Sequence, residues 1–345
     1  MIGSTRRRAL GLLAAAFAGA FVGMGTGCEQ KPAAGGGGSA AGSEPGTAPH
    51  GGGGKPLRVG FAQIGAESDW RKANTDSIQG VAKERGIELT FVDAQQKQEN
   101  QIKAIRSFIA QGVDVIAFAP VVETGWEPVL REVKDAGIPV LLTDRVVQVS
   151  DPSLYVTFIG ADFVEEGRRA ARWLAEATGG KAVIAELQGT PGAAPAIDRK
   201  KGFEEELAKH PEMKVIKSQT GDFTRAKGRE VMESFLKSHE GRQITALYAH
   251  NDDMALGAIQ AIEEAGLKPG VDIKVVSIDG VRAAFEAMAA GKLNCTIECT
   301  PLLGPYLFDA VASAASGKPV ERRIVTEAKV FDQGTAAEEL PKRRY

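Results

Sequence analysis

Cysteine and histidine are scarce in this sequence of 345 residues, and their positions exclude two classes of protein. The three cysteines, Cys28, Cys295 and Cys299, are too few for a disulfide scaffold. Cys295 and Cys299 would lie about 13 Å apart on an extended strand, too far for a disulfide, so we expect buried free thiols. No two of the four histidines lie at the spacing of metal ligands. We therefore predict no metal site and no cofactor.

Neither sign of charge dominates the chain. The 42 Lys and Arg residues are balanced by 44 Asp and Glu residues, which leaves a formal net charge of −2. Such a chain has no global basic field to attract nucleic acid, so we predict no nucleic-acid partner. A content of 43% hydrophobic and 25% charged residues is ordinary for a globular protein. It excludes a collagen, a wholly disordered chain and a polytopic membrane protein, and the length allows about two domains.

The longest apolar run lies at the start of the chain and is short. Three arginines, Arg6 to Arg8, precede apolar residues 9–22, and small residues lead to Cys28. This pattern predicts an export signal over residues 1–27 rather than a membrane-spanning helix. Cys28 after small residues is similar to a lipoprotein cleavage site, so we expect Cys28 to be lipidated. Gly25 stands where such sites usually have Leu, and soluble release after cleavage nearby is the alternative.

Residues 28–56 are rich in Gly, Pro, Ser and Ala, and two runs of four glycines lie among them. This composition cannot bury a core and predicts a flexible tether. Its root-mean-square span is about 30 Å, from about 5–6 Å multiplied by the square root of the residue number. A lipid anchor with such a tether would hold a globular body near a membrane and leave it free to turn.

The remaining chain alternates apolar strand patterns with amphipathic helix patterns. Continuous apolar runs, each followed by a helix that ends near Gly, indicate parallel βαβ units. The pattern restarts after residue 160, so we predict an α/β protein with two doubly wound, Rossmann-like lobes. In open parallel sheets, ligands bind beyond the carboxyl ends of the strands. Two such lobes that face each other form a cleft, which can close on a ligand by a hinge motion.

That rule selects the candidate binding residues. They are Glu67, Trp70, Arg71, Asp144, Arg145, Arg199, Phe223, Asn251, Asp279 and Glu298. The set combines carboxylates, guanidinium groups, an amide and two aromatic rings, and this mixture suits a sugar. Each sugar hydroxyl both donates and accepts, so planar polar groups can bind neighbouring hydroxyls in pairs. We expect Trp70 and Phe223 to lie against the apolar faces of the sugar ring.

Several of these residues have structural alternatives. Asn251, or Asp252 after it, could cap the following helix. Phe223 could belong to the core, and Trp70 could be a packed surface aromatic. An exported glycosidase would also use carboxylates, and Asp144, Asp279 and Glu298 could flank a sugar. The arginines and the asparagine among the carboxylates favour recognition over catalysis.

From Leu57 to about Leu340 the chain resembles the periplasmic sugar-binding proteins of the ribose and galactose type, and especially the galactofuranose-binding branch. The stretches that carry the resemblance are Asp93–Asp114 (DAQQKQENQIKAIRSFIAQGVD), Ala119–Leu130 (APVVETGWEPVL), Ala196–Phe203 (AIDRKKGF), Gly221–Arg225 (GDFTR), Tyr248–Met254 (YAHNDDM) and Ser277–Gly280 (SIDG). Glu67, Trp70 and Arg71 replace the Asn and paired Phe of ribose binders. This departure favours a larger or furanose sugar.

The resemblance implies the type I periplasmic binding protein fold, with two lobes joined by a three-strand hinge. We expect a first lobe of residues 57–159 and 300–325 and a second lobe of residues 160–299 and 326–345. The chain would cross between them near residues 158–161, 298–300 and 323–330. Glu298 would stand at a hinge crossing and contact the sugar.

The resemblance also implies partners. A monomeric receptor at the periplasmic face would deliver a monosaccharide to the permease and ATPase subunits of an ABC transporter. A sugar sensor for a chemoreceptor or a sensor kinase is the alternative. Surface carboxylates near the cleft rim would meet permease arginines, and the candidates are Glu165, Glu166, Glu263 and Glu264.

Overall fold

A computed structural model describes residues 55–345. The predicted export signal, Cys28 and nearly all of the predicted tether lie outside these residues. The strands are β1 (Arg58–Gln63), β2 (Glu88–Asp93), β3 (Val115–Phe118), β4 (Val140–Thr143), β5 (Thr157–Gly160), β6 (Ala182–Gln188), β7 (Met213–Thr220), β8 (Ala246–Ala249), β9 (Lys274–Asp279), β10 (Cys295–Glu298), β11 (Arg323–Val325) and β12 (Val330–Asp332). The helices are α1 (Asp69–Glu84), α2 (Gln98–Gln111), α3 (Glu127–Asp135), α4 (Phe163–Thr178), α5 (Ala194–Leu207), α6 (Arg225–Lys237), α7 (Asp252–Glu264), α8 (Arg282–Ala289), α9 (Gly304–Ala315) and α10 (Gln333–Glu339).

The strands form two six-stranded sheets, one in each lobe. The first sheet has the order β11-β5-β4-β3-β1-β2, and the second has the order β12-β10-β9-β8-β6-β7. All neighbours are parallel except β12, which runs antiparallel to β10. Strands such as β3 and β8 are buried at every residue because helices cover both faces of each sheet. The predicted fold class, two doubly wound α/β lobes, is confirmed.

The chain passes between the two sheets at three places. It leaves the first sheet after β5, returns from β10 to α9, and crosses again from β11 to β12. Helix α1 contacts the second of these segments at three successive turns. The Trp70 indole N–H donates to the Cys299 carbonyl, and the Asn74 amide donates to the Pro301 carbonyl at 3.0 Å. The Gly304 N–H donates to Ser77 Oγ, so one face of α1 is fastened to this crossing.

Helices α1 and α4 both begin next to the cleft between the lobes. The Ser68 hydroxyl accepts from the N–H of Arg71 and caps α1, and Asp162 caps α4 in the same way. Because these helices follow the carboxyl ends of parallel strands, their first turns lie at one edge of each sheet. The two edges face each other, and the polar residues that end the strands meet between them.

Candidate functional site

A cavity lies between the lobes at these edges. Its lining residues are Ser68, Trp70, Arg71, Asp144, Arg145, Pro195, Arg199, Phe223, Asn251, Asp279 and Cys299. Eight of the ten predicted residues are in this set, and Glu67 and Glu298 are not. Both lobes contribute, so a molecule in the cavity would touch both.

Arg71 is held in place by two carboxylates of the first lobe. Its Nη2 lies 2.5 Å from Asp144 Oδ2, and its Nε lies 3.0 Å from Glu67 Oε1. Burial opposes the charge of Arg71, but Asp144 and Glu67 outweigh burial and raise its pKa above the ordinary value. Glu67 therefore stands behind Arg71 and fixes its orientation instead of lining the cavity.

Trp70 is a cavity residue and not a surface aromatic, since only 5% of it is exposed. Its indole N–H donates to the Cys299 carbonyl on the crossing segment. The Arg71 guanidinium carbon lies 4.7 Å from the Trp70 ring centroid, a cation–π distance. The ring is thus fixed at the joint between the lobes.

Arg145 has a buried donor without a hydrogen-bond partner among the described residues. Its Nη1 donates to the Val121 carbonyl at 2.9 Å, while its buried Nε has no hydrogen-bond partner within residues 55–345. Burial and the nearby charge of Arg71 lower the pKa of Arg145 to about 10, so the guanidinium remains charged at neutral pH. The Arg145 guanidinium carbon lies 5.3 Å from the Phe223 ring centroid in the opposite lobe. Asp144 Oδ2 lies 3.8 Å from Arg145 Nε, beyond hydrogen-bonding distance, so this buried donor remains without an acceptor in the part of the chain that the structure describes.

Arg199 is the corresponding arginine of the second lobe. Its Nε donates to Glu166 at 2.9 Å, its Nη1 donates to the His250 carbonyl at 2.6 Å, and its Nη2 lies 3.6 Å from Asp279. Burial opposes the charge of Arg199, but Glu166 outweighs it, so the pKa of Arg199 is raised and the group stays charged. The pair Arg199 and Glu166 is wholly buried, and each charge depends on the other.

Glu166 corrects one prediction. We expected it to be a surface carboxylate that meets the permease, but it is 1% exposed and pairs with Arg199. Glu165 before it is partly exposed and pairs with Arg169 and Arg172 instead. Neighbouring residues of a helix point about 100° apart, so one glutamate of the pair faces inward and the other outward.

Phe223 lies in a strained turn. Asp222 and Phe223 have φ values of 52° and 60°, in the left-handed region that non-glycine residues seldom adopt. The ring packs directly over the backbone of Gly189, where a Cβ atom would come within 1.9 Å of the Phe223 Cζ. Asn251 donates to the Phe223 carbonyl at 3.1 Å. Strain of this kind persists only where surrounding contacts enforce it. The contacts with Gly189 and Asn251 therefore fix the position of the Phe223 ring.

Asn251 is both a helix cap and a residue of the cavity lining. Its side chain caps α7 by accepting from the N–H of Met254 at 3.0 Å, and it also lines the cavity. The alternative that Asp252 is the cap is wrong. Asp252 is fully buried and accepts from the N–H groups of Gly280 and Val281 and from two hydroxyl groups.

Asp279 ends β9 and directly precedes Gly280 and Val281, whose N–H groups donate to Asp252. Its φ of 135° lies far from the range of ordinary side-chain-bearing residues, and Asp144 in the first lobe also has a positive φ, of 61°. Burial raises the pKa of Asp279 well above its usual range, and the charge of Arg199 opposes this rise. The two lobes thus each present a carboxylate on strained backbone beside an arginine.

Glu298 does not reach the cavity. Its carboxylate accepts from Arg343 Nη1 at 2.7 Å and from the Tyr345 hydroxyl at 3.4 Å. The expectation that Glu298 stands at a hinge crossing agrees with its place at the end of β10, but its side chain points to the last residues of the chain. Cys299, the next residue, faces the cavity.

Three lining residues were not predicted. They are Ser68, Pro195 and Cys299. Ser68 and Pro195 lie at helix starts that follow β1 and β6, so the strand-end rule could have selected them. Cys299 gave no such signal because a lone cysteine in an apolar strand is usually a core residue.

Three further properties concern residues 55–345. No group of three or more histidine, cysteine, aspartate or glutamate residues there could hold a metal ion. None of the helices in this part of the chain is both long enough and apolar enough to cross a membrane. Cys295 and Cys299 are buried free thiols, as predicted.

Residues 59–319 match the family described as the periplasmic binding protein domain. This match covers most of the chain, and it agrees with the two-lobed fold and the cavity between the lobes. The chain belongs to the periplasmic binding protein family.

The galactofuranose-binding protein YtfQ of Escherichia coli K12 is 53% identical over 292 residues, which are 84% of this chain and 92% of that protein. A solved structure of the binding protein of the arabinose ABC transporter from Shewanella sp. ANA-3, bound to α- and β-L-arabinofuranose, is 56% identical with a TM-score of 0.82. That alignment covers 84% of this chain and 96% of the other. A Mycobacterium smegmatis structure in complex with β-D-fucofuranose is 56% identical with a TM-score of 0.81, and covers 84% and 95% of the two chains.

Proposed function

We propose that this protein is the exported receptor of an ABC importer, and that it captures a neutral monosaccharide in its furanose form between the two lobes. The observation that carries the proposal is Arg145, a buried cation beside an aromatic ring with a donor that the described chain does not use. Three relatives that align over 84% of the chain are named for, or contain, furanose sugars. Galactofuranose and arabinofuranose are therefore the first candidates.

The charges of the site favour a neutral ligand. Arg71, Arg145 and Arg199 stand among four carboxylates, those of Glu67, Asp144, Glu166 and Asp279. The two sets nearly cancel, so neither an anionic nor a cationic ligand would find an unbalanced partner. Sugar hydroxyls can accept from the guanidinium groups and donate to the carboxylates.

Binding and closure are coupled in this proposal. The first lobe supplies Trp70, Arg71, Asp144 and Arg145, and the second supplies Arg199, Phe223, Asn251 and Asp279. A sugar would touch both sets only when the lobes are together. Its greater affinity for that arrangement would shift the population toward the closed form, which the permease would recognise.

We propose no catalytic activity. A glycosidase would need carboxylates free to act on a sugar from two sides. Asp144 and Asp279 are beside arginines, and Glu298 points to Arg343 and Tyr345. The site therefore suits recognition and release.

The location of the receptor is part of the proposal. The export signal over residues 1–27 and lipidation of Cys28 would place it at the outer face of the cell membrane or in the periplasm, on a tether of about 30 Å. We propose that it acts as a monomer, since the cavity is complete within one chain.

Calorimetry on the protein exported from its full coding sequence tests the function. The ligands are L-arabinose, D-galactose and D-ribose, and the variants are Arg145→Met and Arg131→Met. Arg145→Met removes the free donor while an apolar chain replaces a buried charge, so we expect affinity to fall by about tenfold or more with little loss of stability. Arg131 is an exposed control on α3.

Tight binding of one sugar, weakened only by Arg145→Met, supports the proposal. No binding of any of the three sugars would contradict the sugar assignment. Equal affinities of Arg145→Met and the wild type would show that the unused donor does not face the ligand.

A further inference from the structure

A second polar cluster lies behind the cavity, and its side chains take no part in the contacts described so far. Glu186 near the end of β6 and His250 after β8 are 1% and 0% exposed. His250 Nε2 lies 3.1 Å from Glu186 Oε1, and the N–H of Gly189 donates to His250 Nδ1 at 3.4 Å. The imidazole therefore connects strand β6 with the turn that follows it.

The protonation state of His250 follows from these contacts. Burial lowers the pKa of His250 below its ordinary value, and the hydrogen bond to Glu186 opposes this only in part. The ring is therefore neutral at physiological pH, with its single proton on Nε2 because Nδ1 accepts from Gly189. Donation of that proton to Glu186 fixes the ring plane, and Tyr248 packs at a centroid distance of 5.0 Å.

The groups that His250 holds are those that face the cavity. Gly189 forms the surface on which the Phe223 ring lies, since no Cβ atom would fit between them. The His250 carbonyl accepts from Arg199 at 2.6 Å. The next residue, Asn251, donates to the Phe223 carbonyl. A single residue thus connects three lining residues from three separate elements.

We propose that His250 is a positioning residue for sugar binding, and that its imidazole holds the Gly189 turn so that the Phe223 ring stays against the ligand. The inference rests on the proposed sugar site. His250 has no place in the cavity lining, and it acts through the Gly189 turn without touching the sugar.

Two conservative variants separate the two hydrogen bonds of the ring. The amide oxygen of Asn falls near the position of Nδ1, so His250→Asn can still accept from Gly189 but loses Glu186. The amide nitrogen of Gln falls near Nε2, so His250→Gln can still donate to Glu186 but loses Gly189. Glu186 also bonds Lys200, Gln188 and Ser218, and these remain in both variants.

The measurements are the affinity for L-arabinose and D-galactose by calorimetry and the midpoint of thermal unfolding, on the full exported protein. We expect His250→Gln to weaken sugar binding by about fivefold or more, because the Gly189 N–H loses its acceptor. His250→Asn should bind within about twofold of wild type yet unfold at a lower temperature than His250→Gln. If the role of His250 were purely structural, the less stable variant would also bind the sugar more weakly. The expected result is the reverse, with His250→Asn less stable and His250→Gln the weaker binder.

A second readout does not depend on a sugar. In protein with ¹³C-labelled phenylalanine, the ring resonances of Phe223, assigned with Phe223→Leu, should shift in His250→Gln and stay near their wild-type positions in His250→Asn. If the wild type binds neither sugar, the proposed function fails while this spectrum still tests the positioning role. Unshifted Phe223 resonances in His250→Gln, or equal affinities of the two variants, would overturn the inference.

Discussion

The guanidinium of Arg225 in the second lobe lies 3.0 Å from the carboxylate of Asp69 in the first lobe. Arg225 also pairs with Asp253 at 2.9 Å, and Asp253 accepts from the backbone N–H of Asp69 at 2.8 Å. The three groups join the lobes directly beside Trp70. On the opposite rim, the Glu123 N–H donates to the Gly192 carbonyl at 2.9 Å. These contacts form only when the lobes are together.

Arg225→Ala should therefore speed the release of sugar. We expect the dissociation rate to rise about two- to fivefold with little change in the association rate, because an exposed ion pair contributes about 0.2–1 kcal/mol. Stopped-flow fluorescence of the sugar complex measures both rates. The difference from wild type should shrink at high salt, since salt screens exposed charges.

Arg229→Ala is the matched control for this change. Arg229 lies one turn further along α6 and pairs with Glu264 within the second lobe. It should leave both rates unchanged. Equal effects of the two variants would mean that Arg225 acts on the second lobe alone and does not hold the lobes together.

Gly189→Ala should weaken sugar binding by displacing the Phe223 ring. The added Cβ would lie 1.9 Å from the Phe223 Cζ, far inside contact distance, so the ring must move or the turn must open. We expect an affinity loss of about tenfold, since a small displacement of a ligand-facing group can have effects of this size. Calorimetry with the sugar that binds the wild type gives the value.

Gly80→Ala provides the comparison for a glycine that lies away from the site. Gly80 is on α1, and a Cβ there would meet nothing within 4 Å. Replacing a helical Gly with Ala should stabilise the protein by about 0.5–1 kcal/mol and leave affinity as it is. A normal affinity in Gly189→Ala would show that the Phe223 ring does not contact the ligand.

Most of the cavity lining could be predicted because polar residues that directly follow a buried apolar strand are easy to recognise in the sequence. Asp144 and Arg145 follow β4, and Asp279 ends β9, so the parallel topology alone brings them to one edge. The same rule fails for Glu298, which also ends a strand. Its carboxylate pairs with Arg343, whose guanidinium packs against the rings of Phe285 and Phe331, and no local pattern predicts a partner so distant in the chain.

The supporting residues could not be predicted for a related reason. Glu166 has the surroundings of a surface residue in sequence, because Glu165 precedes it and Arg168 and Arg169 follow within one helical turn. Only the packing of α4 against α5 brings it to Arg199. Asp332 and Thr335, by contrast, form a capping box at the start of α10, and a capping box is a local signal that predicts a helix start.

Cys299 should report lobe opening through its reactivity. It lines the cavity and is only 3% exposed, and burial raises the pKa of its thiol well above the usual range. The thiolate is the reactive form, so labelling by N-ethylmaleimide should be slow and should require the lobes to separate. A bound sugar favours the closed form and should slow the labelling several-fold.

Mass spectrometry of the digested protein locates the label, and Cys295 in the same digest is the internal control. Cys295 is buried in the second sheet, away from the cavity lining. Its labelling should not respond to sugar. Equal protection of Cys295 and Cys299 would indicate that unfolding of the whole lobe, and not opening of the cleft, exposes the thiols.

The pH dependence of stability should contain a contribution from Glu186. Burial opposes its ionisation, but His250, Ser218 and Lys200 outweigh burial and lower its pKa to about 2, from an ordinary value of 4.5. A carboxyl whose pKa is lower in the folded state stabilises the fold fully above its unfolded pKa. That contribution is lost as the pH falls from 4.5 towards 2.

Glu186→Gln should therefore be less stable than wild type at neutral pH, by roughly 1–3 kcal/mol. The difference should narrow between about pH 5 and about pH 3, because Glu186 of the unfolded wild type takes up a proton in this range while the folded protein keeps the carboxylate ionised. Urea unfolding followed by circular dichroism at several pH values measures the two free energies. Glu204→Gln, an exposed partner of Lys200, should show no such convergence. A difference that stays constant down to about pH 3 would mean that the charge of Glu186 does not stabilise the fold, and that only its shape and hydrogen bonds do.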